Sequence, residues 1–142
     1  NAYYDKRELD KAIASYTQAL KINPEYTAAY INRGFAYYKK GELDQAIADY
    51  NRALNINPEY AEAYNNRGLA YYKKGELDQA IADYNRALDI NPEYAEAYIN
   101  RGIAYFKLGD DQKTIQDFKT AAKLYAEQGN TAKQQQILEL LK

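Results

Sequence analysis

The chain has 142 residues, with 19 basic and 20 acidic side chains, and it contains neither Cys nor His. The missing residue types exclude disulfides, thiolate metal sites and the usual nucleophile–base pairs of enzymes, so we predict no catalysis, no metal and no other cofactor. The balanced charge predicts no nucleic-acid partner, and no apolar run approaches the roughly 20 residues that span a bilayer, so membrane insertion is not expected either.

The sequence repeats itself with a fixed period. The tetrapeptide Asn-Pro-Glu-Tyr begins at Asn23, Asn57 and Asn91, which are 34 residues apart. A period of this size is typical of one supersecondary unit stacked on copies of itself. The predicted organisation is one array with a truncated unit 1–26, three full units 27–60, 61–94 and 95–128, and a terminal segment 129–142. The incomplete first unit predicts that the chain is a piece of a longer protein, for which the cytoplasm is the favoured location.

Each unit is predicted to form two helices. In unit 61–94, Tyr64, Gly68 and Tyr71 fall at helical spacing, and Gly75 suits a left-handed cap at the end of this first helix. The proline of each Asn-Pro pair disfavours helical backbone at the asparagine and ends the second helix. The predicted helices are residues 1–6, 8–22, 27–40, 42–55, 61–74, 76–89, 95–108, 110–128 and 131–141.

The last unit lacks the proline, so its second helix is predicted to run on until Gly129-Asn130 stops it. Thr131 and Gln134 then form a capping-box pattern at the start of a terminal helix. Such a helix is expected to cover the open end of a stack of repeats. The apolar residues predicted to do so share one face and are Ile137, Leu138 and Leu141.

The residues at fixed places in each unit resemble the tetratricopeptide repeat (TPR) family, whose unit is a 34-residue helix–turn–helix. The matching residues of unit 61–94 are Tyr64, Gly68, Tyr71, Ala80, Tyr84, Ala87 and Pro92. The match covers about residues 1–128 and weakens in the last unit. The resemblance implies an all-α fold, a right-handed TPR superhelix with a C-terminal capping helix, that acts as a protein-interaction scaffold.

One family position differs in this chain. The leucine that usually precedes the first-helix glycine is replaced by Arg33, Arg67 and Arg101. One interpretation is that the arginine stem covers the seam between helices while its head pairs with a carboxylate, Asp49 or Asp83. The alternative is that the arginines capture a phosphate or carboxylate ligand.

Differences between the units cluster on the first helix. Units 27–60 and 61–94 differ at five places, four of them on that helix. Two places four residues apart, and so on one helical face, vary recurrently. Their residues are Ile31, Asn65 and Ile99 at the first place and Phe35, Leu69 and Ile103 at the second. In the TPR family this face lines the concave groove, so the variation indicates a groove adapted to a ligand; neutral drift is the alternative.

Three asparagines beside this face do not vary, namely Asn32, Asn66 and Asn100. In the TPR arrays of sugar transferases an asparagine at this place forms a ladder along the groove, and in heat-shock co-chaperones it belongs to a clamp for a peptide carboxylate. The basic partners of that clamp are replaced here by Glu62 and Asn66, so an acidic C-terminus is not the expected ligand. The amides suit an extended peptide backbone, because each can donate and accept. The alternative is that they only face solvent.

Aromatic residues follow one turn beyond the groove face, at Tyr38, Tyr72 and Phe106, and are placed to stack on a peptide. The predicted function is therefore a scaffold that binds an extended peptide or a partner helix in the groove. Two alternatives stay open: a structural module that associates with itself, and a docking or regulatory segment of a larger protein.

The truncated first unit also predicts a possible homodimer. Its second helix lacks a complete partner helix, so its apolar residues are expected to face water in part. These residues are Leu9, Ala12, Ile13, Tyr16 and Leu20. An isologous contact between two such N-terminal ends would cover them.

Overall fold

The computed structural model describes residues 6–142, and within this range the chain forms eight α-helices and no strand. The helices follow one another along the stack in chain order. The predicted all-α fold is confirmed. Their bounds are α1 (Lys6–Ile22), α2 (Thr27–Lys40), α3 (Leu43–Ile56), α4 (Ala61–Lys74), α5 (Leu77–Ile90), α6 (Ala95–Lys107), α7 (Asp111–Glu127) and α8 (Thr131–Leu140).

The predicted helix boundaries after residue 26 agree with the observed ones to within one residue. The break predicted at residue 7 is wrong, because Lys6 and Arg7 belong to α1. In the next unit the same place carries Gly41, whose left-handed backbone ends α2, whereas arginine has no such preference. The rest of the predicted helix 1–6 lies outside the described residues.

Two local devices separate the helices. At the end of α4, Gly75 has a φ of 85°, and the N–H of Glu76 donates to the carbonyl of Tyr71, which satisfies a carbonyl of the last turn. After α5 the backbone of Asn91 is extended and its side-chain oxygen accepts the N–H of Glu93 at 3.1 Å. Because these devices recur in the internal units, successive helix pairs enter the stack with the same geometry.

The helix pairs stack in a curved double row. Each helix packs against the next along the chain, and in addition α2 contacts α4 and α4 contacts α6. Within residues 6–142, the backbones of α3, α5 and α7 make no such contact with one another. A stack whose helices touch on one side and separate on the other is curved toward the touching side, so α2, α4 and α6 form its inner row.

The terminal helix differs in two ways from its prediction. Asn130, not Thr131, is the N-cap residue, since its side-chain oxygen accepts the N–H of Lys133 at 3.1 Å. The predicted capping box is therefore wrong; asparagine is among the best N-caps and stands one residue earlier. Ile137 is buried and Leu141 half-buried, as expected of a helix that covers the stack, but Leu138 is exposed.

The apolar residues of α1 are better covered than expected. Leu9 and Leu20 are buried, whereas Ala12, Ile13 and Tyr16 are half-buried. The prediction that all five partly face water is wrong for the two leucines. Both leucines lie on α1, which packs against α2.

The pairs α2–α3 and α4–α5 each close over a fully buried aromatic ring. Tyr50 and Tyr84 have no exposed surface, and Tyr84 lies under Gly68 of the facing helix. A methyl group on Gly68 would come within 2.5 Å of the Tyr84 ring. The absence of a side chain on the glycine is thus what lets α4 and α5 approach closely.

The buried tyrosine hydroxyls provide a first testable prediction. Within residues 6–142, the hydroxyl groups of Tyr50 and Tyr84 have no hydrogen-bond partner, and burial raises their pKa. Burying an unpaired hydroxyl costs about 1–3 kcal/mol. We expect Tyr84→Phe to raise the free energy of unfolding by about 1 kcal/mol in urea denaturation.

The last repeat supplies the matched control for this prediction, because Phe118 lies under Gly102 as Tyr84 lies under Gly68. Phe118 is only half-buried, so the added hydroxyl of Phe118→Tyr should stay hydrated and change the stability little. A loss of stability in Tyr84→Phe would contradict the idea that this hydroxyl is an uncompensated cost.

Candidate protein-binding groove

Three apolar residues lie along the inner row of helices, one on each of α2, α4 and α6. Phe35 and Ile103 are exposed, and Leu69 is half-buried. None of the three is enclosed between helices. The inner face of the stack therefore presents an apolar strip that is open to a ligand.

The position four residues earlier in each unit is covered to a greater extent. Ile31 is only 2% exposed and Asn65 only 4%, while Ile99 is half-buried. The next helix of the inner row covers this place, as the bond between Asn65 and Asn100 on α6 shows. Ile31 and Asn65 thus contribute to the contact between repeats and offer a ligand almost no surface.

The invariant asparagines divide into two groups. Asn32 is exposed and Asn66 half-buried, and the described part of the chain provides neither amide with a hydrogen-bond partner. Asn100 is different, because its Nδ2 donates to Oδ1 of Asn65 at 2.9 Å. Two of the three amides are therefore available on the inner face, and the third is engaged.

The engaged amide belongs to a network that sequence analysis missed. Nδ2 of Asn65 donates to the Tyr94 hydroxyl at 3.4 Å. Burial, with a contribution from Glu62, raises the pKa of Tyr94 to about 12, so this hydroxyl stays neutral at physiological pH. The only sequence signal was the substitution itself: Asn65 stands where the other two units have isoleucine.

The three groove aromatics differ in how much surface they present. Tyr38 and Tyr72 are half-buried and pack against the core, and burial raises the pKa of Tyr38. The ammonium group of Lys73 lies 5.1 Å from the centre of the Tyr38 ring, a cation–π contact across neighbouring repeats. Phe106, on the last helix of the row, is 64% exposed.

The predicted pairing of the repeat arginines is confirmed, and it extends to all three units. In each pair Nη2 and Nε of the arginine donate to the two oxygens of one aspartate, 16 residues later, at 2.6–2.9 Å. The pairs are Arg33–Asp49, Arg67–Asp83 and Arg101–Asp117. Since the guanidinium charges are already matched by carboxylates, the alternative of anion capture has no support.

Each arginine also reaches the preceding repeat, which sequence analysis did not foresee. Nη1 of Arg67 donates to Asn51 on α3 at 2.8 Å, and Nη1 of Arg101 donates to Asn85 on α5 at 2.9 Å. The hydrogen bond with Asp83 is the largest cause that raises the pKa of Arg67. The result is a polar network that links successive helices of the outer row.

The described residues offer no other obvious chemistry. Across residues 6–142 there is no group of three or more acidic side chains placed to hold a metal ion. Nor does any helix in this range have the length and apolar composition needed to cross a bilayer.

A curved stack of helix pairs with an open inner face defines a class, the helical solenoids that serve as protein-interaction scaffolds. The family comparison identifies which one. A model described as TPR repeat matches residues 1–41, 36–75 and 68–109, and one described as tetratricopeptide repeat matches residues 95–128. The chain belongs to the tetratricopeptide repeat family, whose members bind other proteins and are typically non-catalytic scaffolds.

Solved structures of MamA proteins share this fold. A crystal structure of MamA matches with a TM-score of 0.75 and 24% identity, over 94% of this chain and 86% of that one. The protein described as MamA 41-end from Desulfovibrio magneticus RS-1 matches with a TM-score of 0.77 and 22% identity, over 85% of this chain and 68% of that one. No curated protein sequence matches significantly.

Proposed function

We propose that the inner face of the stack binds an extended peptide of a partner protein, partly through the peptide backbone. The observation that carries this proposal is the pair of unpartnered amides, Asn32 and Asn66, on neighbouring helices of the inner row. An amide can donate to a carbonyl and accept from an N–H, so it suits any peptide regardless of sequence.

The spacing of the inner row supports an extended ligand. Packed helices lie about 8–10 Å apart, and an extended peptide rises about 3.3 Å per residue. Asn32 and Asn66 would accordingly meet backbone groups about three residues apart. The exposed Phe35 beside Asn32 and the half-buried Leu69 beside Asn66 would then contact side chains of the same peptide.

The contribution of the amides can be measured directly. We expect the double substitution Asn32→Ala/Asn66→Ala to weaken peptide binding about tenfold, because each lost backbone hydrogen bond contributes about 0.5–1.5 kcal/mol. The ligand would be the best binder from an array of random 12-residue peptides, and affinity would be measured by fluorescence anisotropy. Urea denaturation should show unchanged stability, since neither amide has a hydrogen-bond partner among residues 6–142.

Asn55→Ala is the matched control, because Asn55 is an exposed asparagine on the outer row. It should leave the affinity unchanged. Equal affinities of the double variant and the unaltered protein would refute a role for the amides. Loss of binding on Phe35→Ala together with unchanged affinity in the double variant would instead favour the alternative ligand, a partner helix held by its apolar face.

Self-association through the N-terminal end is the second candidate function. It would be supported by the partial exposure of Ile13 and Tyr16 on α1, but the burial of Leu9 and Leu20 reduces the apolar area available. Light scattering coupled to size exclusion over a wide concentration range tests it. A monomer at every concentration excludes the dimer. The other alternative, a docking segment of a larger protein, would use the groove as described above.

A further inference from the structure

A second apolar recess lies at the C-terminal end of the stack, where α6, α7 and α8 meet. It is a cleft of about 510 Å3. Residues that line it include Ile103, Phe106, Asp111, Ile115, Phe118 and Leu140. Phe106 and Leu140 are 64% and 70% exposed, and Ile115 is exposed as well. Exposed apolar patches of this kind are typical of interaction sites.

The equivalent place one repeat earlier is filled. There Ala80 and Tyr84 of α5 pack against Ala104, which belongs to the next helix of the inner row. The residues 34 positions later, Thr114 and Phe118, line the cleft. Leu138, which corresponds to Ala104, is exposed and does not line it. The cleft is thus the position of a helical turn that the residues described by the structure do not supply.

The length of α7 explains why the turn is missing. With no proline to stop it, α7 runs to Glu127. A helix that ended at the place equivalent to the end of α5 would stop three residues earlier. At about 1.5 Å per residue, three residues displace the start of α8 by about 4.5 Å. Ile137 consequently packs beside Ala121, Ala122 and Tyr125, and the part of the stack nearer the start of α7 stays uncovered.

The charge beside the cleft favours a cationic residue on an occupant. At two internal boundaries a lysine in the last turn of the inner helix pairs with an aspartate of the preceding outer-row helix. These pairs are Lys40–Asp10 at 2.6 Å and Lys74–Asp44 at 2.7 Å. In α7 the place of those aspartates is taken by Gln112, but the neighbouring Asp111 lines the cleft, and no ion pair joins the Asp111 carboxylate to another of the described residues.

We propose that the cleft is a docking site for one amphipathic helix of a partner protein. The helix would place a small residue on Thr114 and Phe118, a large apolar residue between Phe106 and Ile115, and a lysine against Asp111. Two of the chain's own inner helices have this arrangement, with a lysine four residues after the buried alanine: Ala36 and Lys40 in α2, and Ala70 and Lys74 in α4. The site is separate from the amides of the groove, although both surfaces include Ile103 and Phe106.

The probe for this site is a hydrocarbon-stapled peptide with the sequence of residues 61–75. A staple is needed because isolated helices shorter than about 12–15 residues are marginal in water. Binding to the intact chain would be followed by fluorescence anisotropy. We expect Ile115→Ser to weaken binding about tenfold, since it removes most of the apolar contact of one side chain. Asp111→Asn should weaken binding about two- to fivefold, as expected for an exposed ion pair.

Two variants serve as matched controls. Asp78→Asn changes an exposed carboxylate in the first turn of α5 and should have no effect. Asn32→Ala/Asn66→Ala should also leave this binding unchanged, which separates the cleft from the groove. In the peptide, Lys74→Gln should weaken binding to the unaltered chain but not to Asp111→Asn.

Three results would overturn the proposal. One is unchanged affinity in both Ile115→Ser and Asp111→Asn. Another is loss of binding in Asn32→Ala/Asn66→Ala, which would place the probe in the groove. The third is concentration-dependent self-association that Ile115→Ser abolishes, which would make a second copy of this chain the occupant.

Discussion

Replacing Arg67 by Leu, the residue usual in the family, is expected to lower the free energy of unfolding by about 3–5 kcal/mol. Asp83 is only 4% exposed and would lose both hydrogen bonds from the guanidinium group. Burial already raises the pKa of the Asp83 carboxyl more than those bonds lower it. An unpaired charge at this depth is costly, and urea denaturation would measure the loss.

The double variant Arg67→Leu/Asp83→Leu separates the charge from the packing. Replacing a buried ion pair by apolar residues of similar volume is often neutral or stabilising, so the double variant should recover most of the loss. A double variant as unstable as the single one would mean that the network holds the repeats together in a way that apolar contacts cannot replace.

The pH dependence of Arg67→Leu provides an independent check. Without its cation, the folded-state pKa of Asp83 should rise further above its unfolded value of about 3.9. A raised carboxyl pKa makes the protonated form favour folding, so stability is lost as the pH rises through this interval. The deficit of Arg67→Leu relative to the unaltered protein should therefore shrink as the pH falls from about 7 toward about 4.

Gly68→Ala is expected to destabilise the array by about 1–3 kcal/mol. The new methyl group would lie 2.5 Å and 2.9 Å from two carbon atoms of the Tyr84 ring. That ring is fully buried and cannot swing into solvent, so α4 and α5 would have to separate. The expected loss of stability is informative, because alanine is otherwise a better helix former than glycine by about 1 kcal/mol.

A smaller side chain in place of the Tyr84 ring should relieve this clash. In a Tyr84→Leu background, Gly68→Ala is expected to cost less than in the unaltered protein, and the difference between the two costs measures the coupling. Equal costs in both backgrounds would mean that the glycine is required for some reason other than close approach to Tyr84.

Much of the architecture follows from sequence patterns that act over short distances. The Asn-Pro pairs and Gly75 stop helices through their own backbone preferences, so the boundaries after residue 26 were predictable. The pairing of Arg67 with Asp83 was predictable as well, because a buried guanidinium needs a carboxylate and few were within reach. The Asn130 cap was a local signal too, but the pattern at Thr131 obscured it.

The coverage of each helical face was decided by the tertiary structure alone. Phe35 and Ile31 are four residues apart on one face, yet one is exposed and the other buried, because the next inner helix covers only Ile31. The same packing engages Asn100 and leaves Asn66 with no hydrogen-bond partner in the described part of the chain. The repeat pattern by itself determined which helices form and in what order they stack. The rotation and axial offset of each helix against its neighbours determined which surfaces stay open, since burial depends on contacts between repeats that no single repeat encodes.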